Sequence, residues 1–170
     1  MARRFHLRAR EIRELLLRID ERLRSGLEAV VGDELNSVEA YESDDVTLYL
    51  FNERPLLFKS QNQPRPLLSF EELVNAMPRI IVDMGAVPKI CNGADVMAPG
   101  VRGIQGSFKS KELVAIADER FLKTVAVAEA IFASEEVGGM KSGRIARNLH
   151  YVGDRVWKTA KSFEKPRKSQ

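Results

Sequence analysis

Lys89 and Asn92 stand just ahead of Gly93-Ala94, and a turn Ala98-Pro99-Gly100 follows shortly after. An ammonium and an amide project there over backbone that Gly93, Ala94 and Gly100 leave open, so another molecule can approach closely. This is chemistry for binding, not for making or breaking bonds. Residues 82–101 hold no acid/base pair, nucleophile or ligand cluster. Elsewhere Ser107, Ser110 and Ser142 have no histidine at a motif spacing. The acid pairs Asp44-Asp45, Glu71-Glu72 and Glu135-Glu136 fall in turns or at helix starts, where solvation or capping accounts for them. Residues 138–143 imitate a phosphate loop, but with the wrong spacing and no strand–helix context. One cysteine, Cys91, excludes a disulfide framework and fits a reducing compartment. His6 and His150 lie too far apart in sequence for a classical zinc site. Catalysis, cofactor and metal are all unexpected.

Local elements must position these residues. Residues 80–83 end an apolar strand. Gly85 releases the chain into a short helix over 86–92, where Pro88 is tolerated because a first-turn residue has no N–H partner to lose. Gly93 sits where a helix end calls for positive φ. A short extended piece over 95–97 runs into the Pro-Gly turn.

Upstream, residues 1–7 are a strand edge or a basic arm. Ile12, Leu15, Leu16, Ile19, Leu23, Leu27 and Val30 then recur at helical steps, with a kink expected at Ser25-Gly26 and an end at Gly32. The arginines on the other faces are either a solvated surface or an RNA contact. Residues 37–41, 46–51 and 56–59 read as strands. Residues 60–66, with two prolines, read as loop. Ser69 and Glu72 match a capping box ahead of a helix over 70–77.

Downstream, residues 101–106 read as a glycine-punctuated connection. Residues 113–117, 124–132, 144–152 and 155–158 read as strands, with turns at 118–120 and 153–154. Many short strands with close turns argue for a small barrel or sandwich. Met97, Cys91 and Trp157 are expected in the core. His150-Tyr151 either packs or stacks on a base. From Lys161 the basic tail reads as disordered.

The 170 residues suffice for two small domains. At 44% hydrophobic and 30% charged, the composition is that of a soluble globular protein. No apolar run approaches the ~20 residues of a membrane span. Net charge is +3, unevenly placed. Residues 1–27 carry eight arginines against four acids, and residues 28–78 carry three basic against ten acidic side chains. Residues 158–170 carry five basic and one acidic. Basic ends flanking an acidic middle suggest a polyanion for the former and a protein for the latter.

The run Val82-Asp83-x-Gly85-Ala86, then Gly93-Ala94-Asp95-Val96-Met97-x-Pro99-Gly100, resembles the opening of an archaeal or eukaryotic PUA domain, a small RNA-binding barrel. Residues 112–117, Ala126-Val127-Ala128, Asn148-Leu149-His150-Tyr151 and Asp154-Arg155-Val156-Trp157 extend the resemblance to the malignant T-cell-amplified-sequence family, of the stand-alone archaeal type, whose relatives include the N-terminal part of ligatin. Residues 1–78 match it only in length and order of elements. The resemblance implies an α+β N-terminal domain over 1–78, a PUA pseudobarrel with one short helix over 79–157 and a basic tail over 158–170. It implies a cytoplasmic, non-catalytic translation accessory factor that contacts tRNA and the small ribosomal subunit, with a protein partner on residues 1–78. Carried over, Lys89 and Asn92 meet phosphate or sugar. Gly93, Ala94, Pro99 and Gly100 form the surface for a single-stranded end, and Val101 touches a base. Arg144, Arg147 and Asn148 contact phosphates. The alternative is a tRNA-recognition subunit of an RNA-modifying enzyme such as archaeosine transglycosylase, whose PUA domain is similar.

Overall fold

A computed structural model describes residues 1–164. The chain divides into two compact units, Met1–Phe70 together with the chain from Arg155 onward, and Glu71–Asp154.

In the first unit the long apolar stripe forms two helices, α1 (Ala9–Leu17) and α2 (Glu21–Val31). The break falls at Asp20, whose carboxylate accepts the Leu23 N–H at 2.8 Å and so caps α2. Ser25-Gly26 lies inside α2 and interrupts nothing. Leu15, Ile19, Leu23 and Leu27 are buried across the break. Five strands form an antiparallel sheet in chain order: β1 (Arg3–His6), β2 (Val38–Ser43), β3 (Val46–Phe51), β4 (Arg54–Ser60) and β5 (Gln63–Pro66). The expected loop over 60–66 is therefore partly the edge strand β5. Its two prolines are accommodated because an edge strand has N–H positions that need no partner.

The second unit begins with α3 (Glu71–Val74), a single turn. Ser69 Oγ finds no hydrogen-bond partner among the described residues, so the capping box does not form as expected. The strands are β6 (Arg79–Val82), β7 (Val96–Met97), β8 (Val101–Gln105), β9 (Leu113–Asp118), β10 (Thr124–Ala130) and β11 (Arg144–Tyr151). They make one sheet in the order β7-β11-β10-β9-β6-β8, in which only β6 and β9 run parallel. Two further one-turn helices, α4 (Val87–Ile90) and α5 (Ser134–Val137), join it. Helices α3 and α4 fall where the sequence placed helices, over 70–77 and 86–92, and α5 is an added turn of helix. Residues 101–106, read as a connection, are mostly β8, paired antiparallel to β6. Strand β9 is buried along its whole length, which suits its small and apolar side chains. The core collects Ile80, Val82, Ile90, Val96, Ile116 and Ile145.

The last element corrects the reading of residues 155–158 as a strand. They open α6 (Arg155–Lys161), so the expected disordered tail is helical through Lys161. Val156, Ala160 and Phe163 fall at helical spacing and pack against the first unit's core of Val46, Leu48, Leu50, Phe58 and Leu67. Trp157 is half-buried with the Lys161 ammonium 5.1 Å from its ring. The remainder of the expected tail, residues 165–170, lies outside the described residues.

Candidate functional site

The Asp83 carboxylate starts the site. Its Oδ1 accepts the Ala86 N–H at 2.7 Å, turning the chain from β6 into α4. Pro88 sits in that first turn, as its geometry requires. After Cys91 the backbone reverses at Gly93, where φ is +97°. A 3₁₀ turn over Ala98–Gly100 then brings the chain back, and a Cβ on Gly100 would lie 3.3 Å from Ala86 Cβ.

Between these pieces is a cleft of about 420 Å³, lined by Asp83, Lys89, Ala94, Asp95, Met97, Pro99 and Gly100 among others. Four of the residues singled out in the sequence, Lys89, Ala94, Pro99 and Gly100, meet there. Asn92 and Gly93 are exposed on the loop between them.

Two acids of the motif run, Asp83 and Asp95, also stand in the cleft wall, although they were not expected as site residues. Each is neutralised by an arginine. Arg102 Nη2 lies 3.1 Å from Asp83 Oδ2, and Arg144 Nε lies 3.2 Å from Asp95 Oδ2. Lys89 stands exposed in the cleft lining while both carboxylates are held by arginines. Arg102 is half exposed, but its Nη1 donates to the Pro99 carbonyl at 3.1 Å and its Nε lies 3.8 Å from Glu119, so its nitrogens are engaged within the chain, whereas Arg144 is 59% exposed with its Nε on Asp95.

Other residues take different places. Asn148 was expected on phosphate, but its amide Nδ2 donates to the carbonyls of Ile90 at 3.0 Å and Ala94 at 2.9 Å. Its backbone N–H donates to Asp95 Oδ1 at 2.8 Å. Asn148 therefore pins the cleft loop to β11, and the donors a phosphate would need are in use. Val101, expected to touch a base, is half-buried against the core and does not line the cleft. Arg147 sits outside the cleft wall, bonded to Glu129 at 2.9 Å.

Three neighbours also resolve. Met97, expected in the core, is 48% exposed at the cleft. Cys91 is half-buried and burial pushes its thiol up. His150 is fully buried with Nδ1 2.9 Å from Asp154 Oδ2, which leaves no ring face for a base.

Among the described residues, no three His, Cys, Asp or Glu side chains gather as metal ligands. No described helix is long and apolar enough to cross a membrane.

A family model described as the PUA domain matches residues 78–152. An uncharacterized protein of Methanocaldococcus jannaschii is 34% identical over 124 residues, covering 71% of this chain and 75% of that protein. Translation machinery-associated protein 20 of Eremothecium gossypii is 24% identical over 122 residues, covering 68% of this chain and 67% of that protein. The crystal structure of a PUA domain from Aeropyrum pernix K1, a tartrate complex, superposes with a TM-score of 0.76 at 23% identity, covering 97% of this chain and 94% of that one. That last likeness is one of fold.

Proposed function

Because the chain belongs to the malignant T-cell-amplified-sequence family of stand-alone proteins with a PUA domain, we propose that it is a non-catalytic RNA-binding protein that serves translation. The cleft carries this reading. It offers a lysine, a positive-φ glycine loop and a Pro-Gly turn, with its two acids neutralised by arginines.

An unpaired RNA end fits such a place. Lys89 and Asn92 meet phosphate or sugar, and the backbone at Gly93, Ala94, Pro99 and Gly100 lets the strand come close. Arg144 and Arg147 add guanidinium N–H groups along β11. The finer reading is a cytoplasmic factor on tRNA and the small ribosomal subunit, supported by the likeness to translation machinery-associated protein 20. A protein partner is proposed for residues 1–78. In the first unit a groove of about 410 Å³, with Leu16, Leu17, Leu27, Val31, Leu35 and Phe51 in its wall, supports that part.

The test is binding of tRNA across a salt series, with co-sedimentation on small ribosomal subunits alongside. Combining Lys89→Glu with Arg147→Glu removes two cations and is expected to flatten the slope of log affinity against log salt by about 1.4–1.8. A slope unchanged by both substitutions removes the phosphate contacts, and failure to sediment with subunits removes the ribosomal assignment.

A further inference from the structure

We propose that Phe121, at the tip of the β9–β10 hairpin, is a stacking platform for an unpaired RNA base and extends the RNA site beyond the cleft. The inference rests on the RNA reading of that cleft.

Phe121 is 74% exposed, at the end of a hairpin whose strands are largely buried. The loop that displays it is tightly held. The buried Asp118 carboxylate accepts the N–H groups of Arg120 at 2.9 Å, Phe121 at 2.6 Å and Lys123 at 3.0 Å. Arg79 Nη1 donates to the Leu122 carbonyl at 3.2 Å. Leu122 itself is held at a φ of +55°, a conformation that disfavours a branched side chain. A locked loop that keeps such a residue and points an aromatic ring into water is arranged for contact, because little entropy remains to be lost on binding.

The surroundings select the partner. The Arg120 guanidinium lies over the ring, 5.5 Å from its centroid, and Lys123 is exposed two residues on. One ring face thus carries a cation and the other is open. An aromatic face beside cations is the combination that holds an unpaired base and its backbone.

The position fits as well. Strands β6 and β9 run parallel with Val82 opposite Asp118, so the residues after each leave the sheet at the same end. The Glu119 N–H donates to the Val82 carbonyl at 2.9 Å, and Arg102 reaches both Asp83 and Glu119. Asp83 lines the cleft. The hairpin tip and the cleft therefore share a rim, and a strand leaving one meets the other.

The experiment measures fluorescence anisotropy of a stem RNA with an unpaired 3′ tail against the full chain. Phe121→Leu keeps an apolar side chain but removes the ring face. It is expected to bind the tail about five- to tenfold more weakly, with an unchanged salt slope and melting temperature, and Phe121→Trp is expected to restore binding. An abasic tail should erase the difference between wild type and Phe121→Leu. Wild-type affinity in Phe121→Leu overturns the proposal. So does binding to phosphatidylserine vesicles that Phe121→Leu abolishes, which would make the tip a lipid contact. Lys89→Glu separates the two ideas. Loss in Lys89→Glu alone keeps the cleft and removes the platform, whereas loss in Phe121→Leu alone keeps the platform and removes the cleft. Loss in neither overturns both.

Discussion

The side-chain amide of Asn148 donates to the Ala94 carbonyl at 2.9 Å, and through it strand β11 holds the loop that forms one wall of the cleft. The same nitrogen reaches the Ile90 carbonyl, the last residue of α4. Asn148→Ala removes the side-chain bond to the Ala94 carbonyl and leaves the Ile90 carbonyl with the Gly93 N–H at 3.0 Å. It is expected to lower stability by about 1–3 kcal/mol, the cost of unmade hydrogen bonds at a part-buried site. RNA affinity should fall with it while the salt slope stays as in wild type, since a neutral amide neutralises no phosphate. Urea denaturation and binding at several salt concentrations read the two effects. Weaker RNA binding with unchanged stability would instead make Asn148 an RNA ligand.

Gly93 presents a different constraint. A Cβ there would sit 3.4 Å from the Tyr151 hydroxyl, an ordinary contact, but φ is +97°. The backbone angle, not the space, excludes a side chain. Gly93→Ala is expected to cost about 1 kcal/mol or more. Adding Tyr151→Phe, which removes the nearest atom, should not restore the loss. Recovery in the double variant would shift the cause from backbone to packing.

The cleft's backbone was legible because its signals are local. Pro88 in a first turn, Gly93 after a helix and Pro99-Gly100 in a turn each declare their own geometry. The electrostatics were not, because Asp83 and Asp95 find Arg102 and Arg144 across the sheet, at separations no spacing rule covers. Strand β8 was read as a connection since Gly103 and Gly106 mark loops locally, whereas its pairing with β6 is a property of the barrel. Residues 155–158 read as a returning strand because the turn at Gly153-Asp154 precedes them. The apolar stripe that makes them helical needs Ala160 and Phe163 as well. Asn148 is the instructive error in the site. An amide looks the same in sequence whether it faces phosphate or two carbonyls of its own chain.

Two buried carboxylates make stability depend on acid. Hydrogen bonds to Asp118, the Phe121 N–H foremost, hold it below its ordinary 3.8 against the opposing pull of burial. The Arg4 side chain, bonded at 2.6 Å, holds Glu39 below its ordinary 4.5. Both folded values lie below the unfolded ones. Their stabilisation is therefore complete above the unfolded values and is lost as pH falls through the folded ones. Urea midpoints should be steady from about pH 7 to 5 and decline below about pH 4. Asp118→Asn cannot ionise, so it should start from a lower midpoint at pH 7 and lose less on acidification. Equal acid sensitivity in Asp118→Asn and wild type would exclude Asp118 as a source.

The helix that closes the first unit gives a test in a region the sequence left indistinct. Phe163 meets the Tyr41 ring edge-on at 4.9 Å between centroids, and the Arg4 guanidinium lies 5.4 Å from its ring. Tyr41 is on β2 and Arg4 on β1, so this one side chain ties the end of α6 to two neighbouring strands. The ring is half-buried, and half of an aromatic burial plus one edge contact amounts to about 1–2 kcal/mol. Phe163→Ala is expected to lose that much, while Phe163→Leu keeps most of the apolar area and should lose less. Amide hydrogen exchange locates the effect: protection should fall across β1, β2 and β3, whose packing partner has been removed. Unchanged protection in those strands, with α6 still helical, would mean that the helix rests on the sheet without stabilising it.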